Sequence, residues 1–207
     1  MRCRFHFNFG CIFWTPYALS FISIIFVIFF FIIIAPSNLN FYVTEASLTQ
    51  FNLNNNTTLY YNFKLNITVR NPNNNVIVYY RVMRASVWYK HNYFANNISL
   101  APFDQGKKKT SFLQTTMFDG NKVFNLKPKQ LGEYNEETRV GIYNDLDVDL
   151  DFEVIFKYVG MFKSKSFNPP TVQCRQLSVP LISNGKSASP FNVTKCSTPY
   201  FFTYRNL

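Results

Sequence analysis

An all-β antiparallel sandwich preceded by one transmembrane α-helix is the fold class predicted for this 207-residue chain, and three observations predict it. Residues Cys11 to Ala35 carry no charged side chain, and a helix of that length reaches about 37 Å, enough for a hydrocarbon core of roughly 30 Å. Beyond Pro36 the apolar residues recur at every second position, the period of a half-buried strand. Clusters of Asn, Asp, Gly and Pro punctuate those runs. The domains expected are a short cytoplasmic tail over 1–10, a signal-anchor helix over 11–35 and one β domain over 36–207, long enough to bury a single core.

Within the anchor, Phe21 to Ile34 is Phe, Ile and Val interrupted only by Ser23. Pro16 falls near its start, where a first-turn proline costs little. Arg2 and Arg4 precede the run, whereas Glu45 is the one charge in the twenty-eight residues after Ala35. The positive-inside bias then puts the N-terminus in the cytoplasm and the C-terminal domain outside the cell, at the plasma membrane. A cleaved signal peptide is the alternative reading, but Ala35-Pro36-Ser37 offers no A-x-A-like cleavage site. With about ten residues before the span, direct cytoplasmic recruitment is not expected, and partners are expected within the membrane or outside it.

The strands follow in order. Leu59 to Arg70 alternates apolar odd positions with mostly polar even ones, and Asp147 to Val154, continuing to Phe156 and Tyr158, alternates likewise. Shorter candidates are Tyr42–Leu53, Val76–Tyr80, Ala85–Lys90, Thr110–Thr116 and Cys174–Pro180. Turns are expected at Asn71-Pro72-Asn73, Asp119-Gly120-Asn121, Asn144-Asp145 and Asn168-Pro169-Pro170, and one short helix at Lys127–Tyr134. Many short strands with one wet face indicate a sandwich of immunoglobulin or fibronectin type III-like architecture.

The residues now carry a family resemblance. Asn71-Pro72-Asn73 closing a long alternating strand, followed by Val78-Tyr79-Tyr80, resembles the NPN…YY signature of plant late-embryogenesis-abundant group 2 domains (water stress and hypersensitive response). Pro102-Phe103-Asp104-Gln105-Gly106-Lys107-Lys108-Lys109-Thr110 is similar to the P-F-x-Q-G-x-K-x-T segment of the harpin-induced and non-race-specific-disease-resistance-like membrane proteins. Val172-Gln173-Cys174, Leu177-Ser178-Val179-Pro180-Leu181 and Thr194-Lys195-Cys196 resemble the end of the same domain. The resemblance implies a non-enzymatic protein of plant defence or stress response, acting through protein partners and contact with the cell wall.

Several residues are candidates for specific roles. Asn-x-Ser/Thr glycosylation acceptors stand at Asn55, Asn56, Asn66, Asn97 and Asn192. Cys174 and Cys196 are the two cysteines beyond the span, and in an oxidising compartment they can pair, a bridge worth roughly 3 kcal/mol; two free buried thiols are the alternative. Cys3 and Cys11 flank the cytoplasmic end of the span, as lipidated residues or as bystanders. The Asn-Pro-Asn corner reads as scaffolding, since proline fixes φ and pushes Asn71 toward extended geometry. In the same way Gln105-Gly106 is expected to turn the chain free of a Cβ penalty.

Chemistry is sparse. Of two histidines, His6 lies before the span and His91 in a stretch read as a surface turn, with no hydrolase, zinc or phosphate-loop motif near it. No catalytic residue, metal site or cofactor is expected. Asp145, Asp147, Asp149, Asp151 and Glu153 line one face of a strand at about 7 Å intervals. Either they form a surface for a divalent cation or basic partner, or they are a solvated face balanced by Lys64, Arg70 or Lys157.

Nineteen basic against eleven acidic residues remain once Arg2 and Arg4 are set aside, a balance of +8. Lys107, Lys108 and Lys109 concentrate three of those charges, which makes Asp104–Thr110 the candidate contact loop. Outside a cell such a loop attracts acidic polysaccharide or anionic headgroups, and the compartment argues against nucleic acid. The function expected is display of the sandwich at the membrane. The alternative is a binding module for a lipid or other hydrophobic ligand between the sheets, drawn from an aromatic content of 19%.

Overall fold

The computed structural model describes residues 9–55, 57–113, 116–158, 162–183, 185–187 and 189–205. The chain divides into two compact units, Met1–Pro36 and Ser37–Leu207. In the first, α1 runs over Phe9–Ile34, 26 residues with Pro16 inside it. Its side chains are described over 16–28, all of them exposed; among the described residues no helix is long and apolar enough to cross a membrane.

The second unit is built of antiparallel strands: β1 (Asn40–Asn54), β2 (Thr58–Arg70), β3 (Val76–Tyr89), β4 (Asn92–Leu100), β5 (Phe103–Gln105), β6 (Thr110–Phe112) and β7 (Thr116–Val123) precede the helix α2 (Pro128–Val140). After it come β8 (Ile142–Tyr158), β9 (Val172–Pro180), the small hairpin β10 (Ile182–Ser183) and β11 (Lys186–Ser187), and β12 (Thr194–Lys195). One sheet has the order β12-β1-β2-β6, with β7 also on β2; the other has β4-β3-β8-β9, with β5 also on β3.

Alternation explains how the sheets meet. On β2, Leu59, Tyr61, Phe63, Leu65, Ile67 and Val69 are buried; on β8 the same holds for Leu146, Val148, Leu150, Phe152, Val154 and Phe156. Each such side chain stabilises the fold by about 1.5–3 kcal/mol. Aromatic rings fill both ends of the space between. At one end Phe51 packs against Tyr89, Phe94, Tyr134 and Tyr143, and the Tyr134 and Tyr143 hydroxyls donate to its carbonyl at 3.1 and 3.2 Å. Burial pushes the Tyr143 hydroxyl up to about 12. At the other end Phe201 sits among Phe41, Tyr80, Phe152 and Phe156.

The elements differ from expectation where the period breaks. Val76–Tyr80 and Ala85–Lys90 merge into one strand, β3, which ends at Tyr89 and leaves Lys90 in the turn, because a bulge between Tyr80 and Val82 shifts the parity without ending the pairing with β8. Asp119-Gly120-Asn121 is no turn but the middle of β7, paired with β2. There Gly120 has a φ of 154°, and a Cβ would meet the Tyr61 hydroxyl at 3.1 Å, so the glycine makes room for the ring opposite it. Asn144-Asp145 is a bulge inside β8 rather than a strand end, with Asp145 left-handed at φ 56°. Thr110–Thr116 is two short strands, β6 and the first residue of β7, on the same edge of β2. The helix extends six residues beyond Tyr134, to Val140, ending where Gly141 turns left-handed (φ 77°) and donates to the Glu137 carbonyl at 2.8 Å.

Candidate functional site

The lysine loop rests on a buried polar lattice. At the end of β2, Asn71 is wholly buried, and its amide nitrogen donates to the Val76 carbonyl at 2.8 Å and the Gly106 carbonyl at 3.1 Å. Its side-chain oxygen accepts from the Asn73 backbone and side-chain nitrogens, both at 3.0 Å. Asn73 bonds both backbone groups of Ser37, accepting at 2.6 Å and donating at 2.8 Å. Gln105, also wholly buried, donates to the Val69 and Lys109 carbonyls at 2.9 and 3.2 Å and accepts from the Tyr80 hydroxyl at 3.2 Å. Since buried amides are costly unless satisfied, the Asn-Pro-Asn corner and the Gln-Gly pair act together as one joint between the two sheets.

That joint leaves Lys107, Lys108 and Lys109 exposed. The turn itself differs from the expected one. Lys108, not Gly106, takes the left-handed conformation (φ 52°), while a Cβ on Gly106 would meet only the flexible Lys109 side chain. Within Asp104–Thr110, Gln105 faces inward. Asp104 is exposed and 3.4 Å from Arg81, and Thr110 accepts from Arg70 at 3.2 Å.

The two domain cysteines form a disulfide, Cys174–Cys196. It joins β9 of one sheet to the residue following β12 of the other, beside mutual backbone bonds of Gln173 and Ser197 at 2.9 and 2.7 Å. Among the acceptors, Asn55 is exposed at the β1–β2 turn, Asn97 is exposed on β4 and Asn192 is exposed before β12. Asn66 lies in the middle of β2 with its amide donating to Glu45. Asn56 and Cys3 lie outside the described residues, as does the side chain of Cys11.

The acidic row of β8 is paired, though not by the residues expected. Asp147 and Asp149 lie 3.6 and 2.8 Å from Arg175, Asp151 lies 2.6 Å from Arg205, and Asp145 lies 3.7 Å from Lys90. Glu153 accepts from Ser166 at 2.6 Å. Lys64 belongs to the other sheet, where it pairs with Glu45 at 3.4 Å, and Arg70 is likewise on β2. Their neutralising partners come from β9, from the β3–β4 turn and from the residues after β12, none of which carries a local motif. Among the described residues no cluster of acidic, His and Cys side chains is placed to hold a metal ion.

Among the described residues, Lys90 is the one charged side chain that is buried. Its ammonium lies 2.8 Å from Glu133 and 3.1 Å from Glu137 of α2, and Glu137 also accepts from the Tyr89 hydroxyl at 2.6 Å. Burial alone would lower the Lys90 pKa, but hydrogen bonds to Glu133 and Glu137 raise it above the ordinary lysine value. The same contact holds Glu133 below the ordinary carboxylate value. This cluster fastens α2 to the sheet, a structural use of charge that the sequence pattern does not announce.

Comparison with known proteins agrees with these features. Residues 66–174 match the family model described as late embryogenesis abundant protein, a span that holds the Asn-Pro-Asn corner, the Gln-Gly pair and Cys174. NDR1/HIN1-like protein 3 of Arabidopsis thaliana is 34% identical over 169 residues, covering 82% of this chain and 71% of the relative. NDR1/HIN1-like protein 10 of the same plant is 33% identical over 162 residues, covering 77% and 69%. A late embryogenesis abundant domain bearing the buried Asn71–Gln105 joint, with such relatives along most of its length, makes this chain a member of the NDR1/HIN1-like family.

Proposed function

We propose that the chain is a single-pass plasma-membrane protein that displays its β domain outside the cell and serves plant stress or defence responses by contact rather than catalysis. Its family membership supports the stress or defence setting. The charge-free sequence run Cys11–Ala35, about 37 Å long if helical throughout, supports the anchor. The disulfide and the exposed acceptors Asn55, Asn97 and Asn192 support an oxidising, exocytoplasmic compartment.

The observation that carries the contact reading is the three exposed lysines of Lys107–Lys109 on a fully bonded base. A loop fixed in this way presents its charges with little ordering cost on binding, and the partner that suits them is acidic cell-wall polysaccharide or an acidic protein surface. The aromatic packing between the sheets supports a filled core over a hydrophobic-ligand chamber.

The experiment has two arms. Glycosidase and protease treatment of sealed microsomes holding a C-terminally tagged full chain is expected to give a downward shift, lost on replacing the acceptor Asn residues, with the tag protected. Retention of the detergent-solubilised chain on pectin is expected to fall with salt and to vanish with Lys107→Gln, Lys108→Gln and Lys109→Gln together. A protease-accessible tag with no shift would sink the topology, and salt-insensitive retention the contact loop.

A further inference from the structure

At the end of the β domain where the chain enters it, apolar rings and lysines stand exposed side by side. The start of β1 meets the end of β2 there, Asn40 pairing with Arg70, and the start of β3 meets the end of β8, Val76 pairing with Tyr158. Rings run in contact from the core to the surface. Buried Phe156 packs on Phe202 and Phe167, with centroids 4.4 and 5.2 Å apart. Phe202 packs in turn on Tyr200 at 5.7 Å, Phe167 on Tyr204 at 5.0 Å, and Tyr158 on Phe162 at 5.1 Å. At the outer ends Phe162 is 63%, Tyr200 45% and Tyr204 70% exposed. Apolar side chains grouped in this way mark an interaction surface, whereas scattered ones do not.

This face is held in place and is basic. The Arg205 backbone N–H donates to the Asn168 carbonyl at 2.9 Å, and its guanidinium donates to Asp151 at 2.6 Å. Thr203 closes a turn on the Tyr200 carbonyl, with its hydroxyl donating at 2.8 Å. Lys163 lies over the Tyr79 ring at 5.2 Å, and Lys157, Lys163 and Lys165 are all exposed. The neighbouring carboxylates are engaged elsewhere, Asp151 with Arg205, Asp104 with Arg81 at 3.4 Å and Glu153 with Ser166.

Connectivity decides what the face can reach. Asn38 accepts from the Phe201 backbone N–H and donates to the Thr198 carbonyl, both at 2.9 Å. The tail that carries Tyr200 and Tyr204 is thus bonded to a residue three positions past Ala35. Three residues span at most about 11 Å, and the headgroup layer is roughly 5–8 Å deep on each side of the hydrocarbon core. At that depth a tyrosine or phenylalanine ring meets the acyl-chain ends, while a lysine keeps its ammonium among the phosphates. An acidic polysaccharide would use the lysines and leave the rings wet. The lysine loop borders the same end, since Lys108 donates to Asn73 and Asn73 bonds Ser37, and its charges add to the attraction for anionic headgroups.

We propose that this face, with the rings of Phe162, Tyr200 and Tyr204 and the ammoniums of Lys163 and Lys165, docks on the headgroups of the phospholipid bilayer in which the chain is anchored. The dock rests on the anchor proposed above and goes beyond it, because an anchor alone does not require the domain to touch lipid.

The test uses the full chain with Cys3→Ser and Cys11→Ser, in vesicles of phosphatidylcholine and phosphatidylglycerol in equal parts. A nitroxide is placed on Thr203→Cys or, at the opposite end of β3 and β8, on Glu136→Cys of α2. Carbonate extraction first establishes whether the chain is anchored. Oxygen concentrates in the apolar layer and a polar nickel chelate is excluded from it, so the oxygen-to-nickel ratio of collision rates is expected to be at least about twofold higher at Thr203 than at Glu136. Tyr200→Ser with Tyr204→Ser is expected to bring the Thr203 ratio down to the Glu136 value and to leave retention on pectin unchanged. Lys163→Gln with Lys165→Gln is expected to lower the docked-to-free ratio roughly fivefold per lysine. Circular dichroism establishes that each variant is folded. A chain stripped by carbonate overturns anchor and dock together. An anchored chain whose two labels read alike, or whose folded aromatic and lysine variants both read as the parent does, overturns the dock and leaves the anchor standing.

Discussion

Asn71 donates its side-chain N–H to the carbonyl of Gly106 at 3.1 Å, thirty-five residues along the chain, and so ties the strand corner to the base of the lysine loop. Replacing it with alanine strands the carbonyls of Val76 and Gly106 and two donors of Asn73. We expect Asn71→Ala to cost about 3 kcal/mol of stability, as the loss of a buried hydrogen-bond hub does. Urea denaturation checks this, and a loss under about 0.5 kcal/mol, the range of a surface substitution, would refute the joint.

The Cys174–Cys196 bridge closes a sequence separation of 22 residues, which the chain-entropy account values at about 3 kcal/mol. Reduction, or the Cys174→Ser/Cys196→Ser pair, is expected to lower the urea midpoint accordingly. Core packing around Phe201 holds the end of the chain independently, so the reduced domain is expected to remain folded.

Lys90→Met leaves Glu137 without its cation at a site where the lysine is only 5% exposed. Removing one member of a buried ion cluster costs about 3–5 kcal/mol, and here the loss should appear as undocking of α2, read as faster amide exchange over Pro128–Val140. Acid gives the same result by another route. Glu133 titrates below its ordinary value because of Lys90, so its contribution is present above about pH 4.5 and is lost as pH falls through the lowered folded value. In Lys90→Met that acid-dependent step should disappear.

Asp149 behaves in the opposite sense. Burial raises its pKa above the ordinary aspartate value of 3.8, with Arg175 pulling the other way. The folded chain therefore holds the proton to higher pH than the unfolded one, and this group's contribution falls as pH rises from about 3.8 through the folded value. Asp149→Asn removes that fall and should leave the melting temperature at pH 7 unchanged or higher, since Arg175 keeps Asp147 at 3.6 Å. A marked drop at pH 7 would make Asp149 a stabilising residue instead of one retained at a cost to stability.

Strands such as β2 and β8 were legible because each buries one face, so the period of two survives in the residues themselves. Where a bulge shifts parity, as between Tyr80 and Val82, one strand reads as two. The edge strand β4 went unread because only Phe94 and Ala95 of its nine residues are buried, which leaves almost no pattern. Asn71, Gln105 and the cysteine pair were legible as a set, though the fully buried Gln105 looked like part of a contact loop. The acidic face of β8 was legible from its spacing, but its partner Arg175 was not, because only the register between β8 and β9 brings that side chain beside Asp147 and Asp149.

Strand β4 has one further consequence. It pairs on one side only, and an unpaired edge is a template on which other chains can add and polymerise. Register shifts beside Val87 and the left-handed Asn97 (φ 52°) disrupt that template over the exposed residues Asn96 to Ser99. A glycan on Asn97 would cover what the kinks leave open. This edge then works as a guard against self-association, and loss of Asn97 should show first as aggregation.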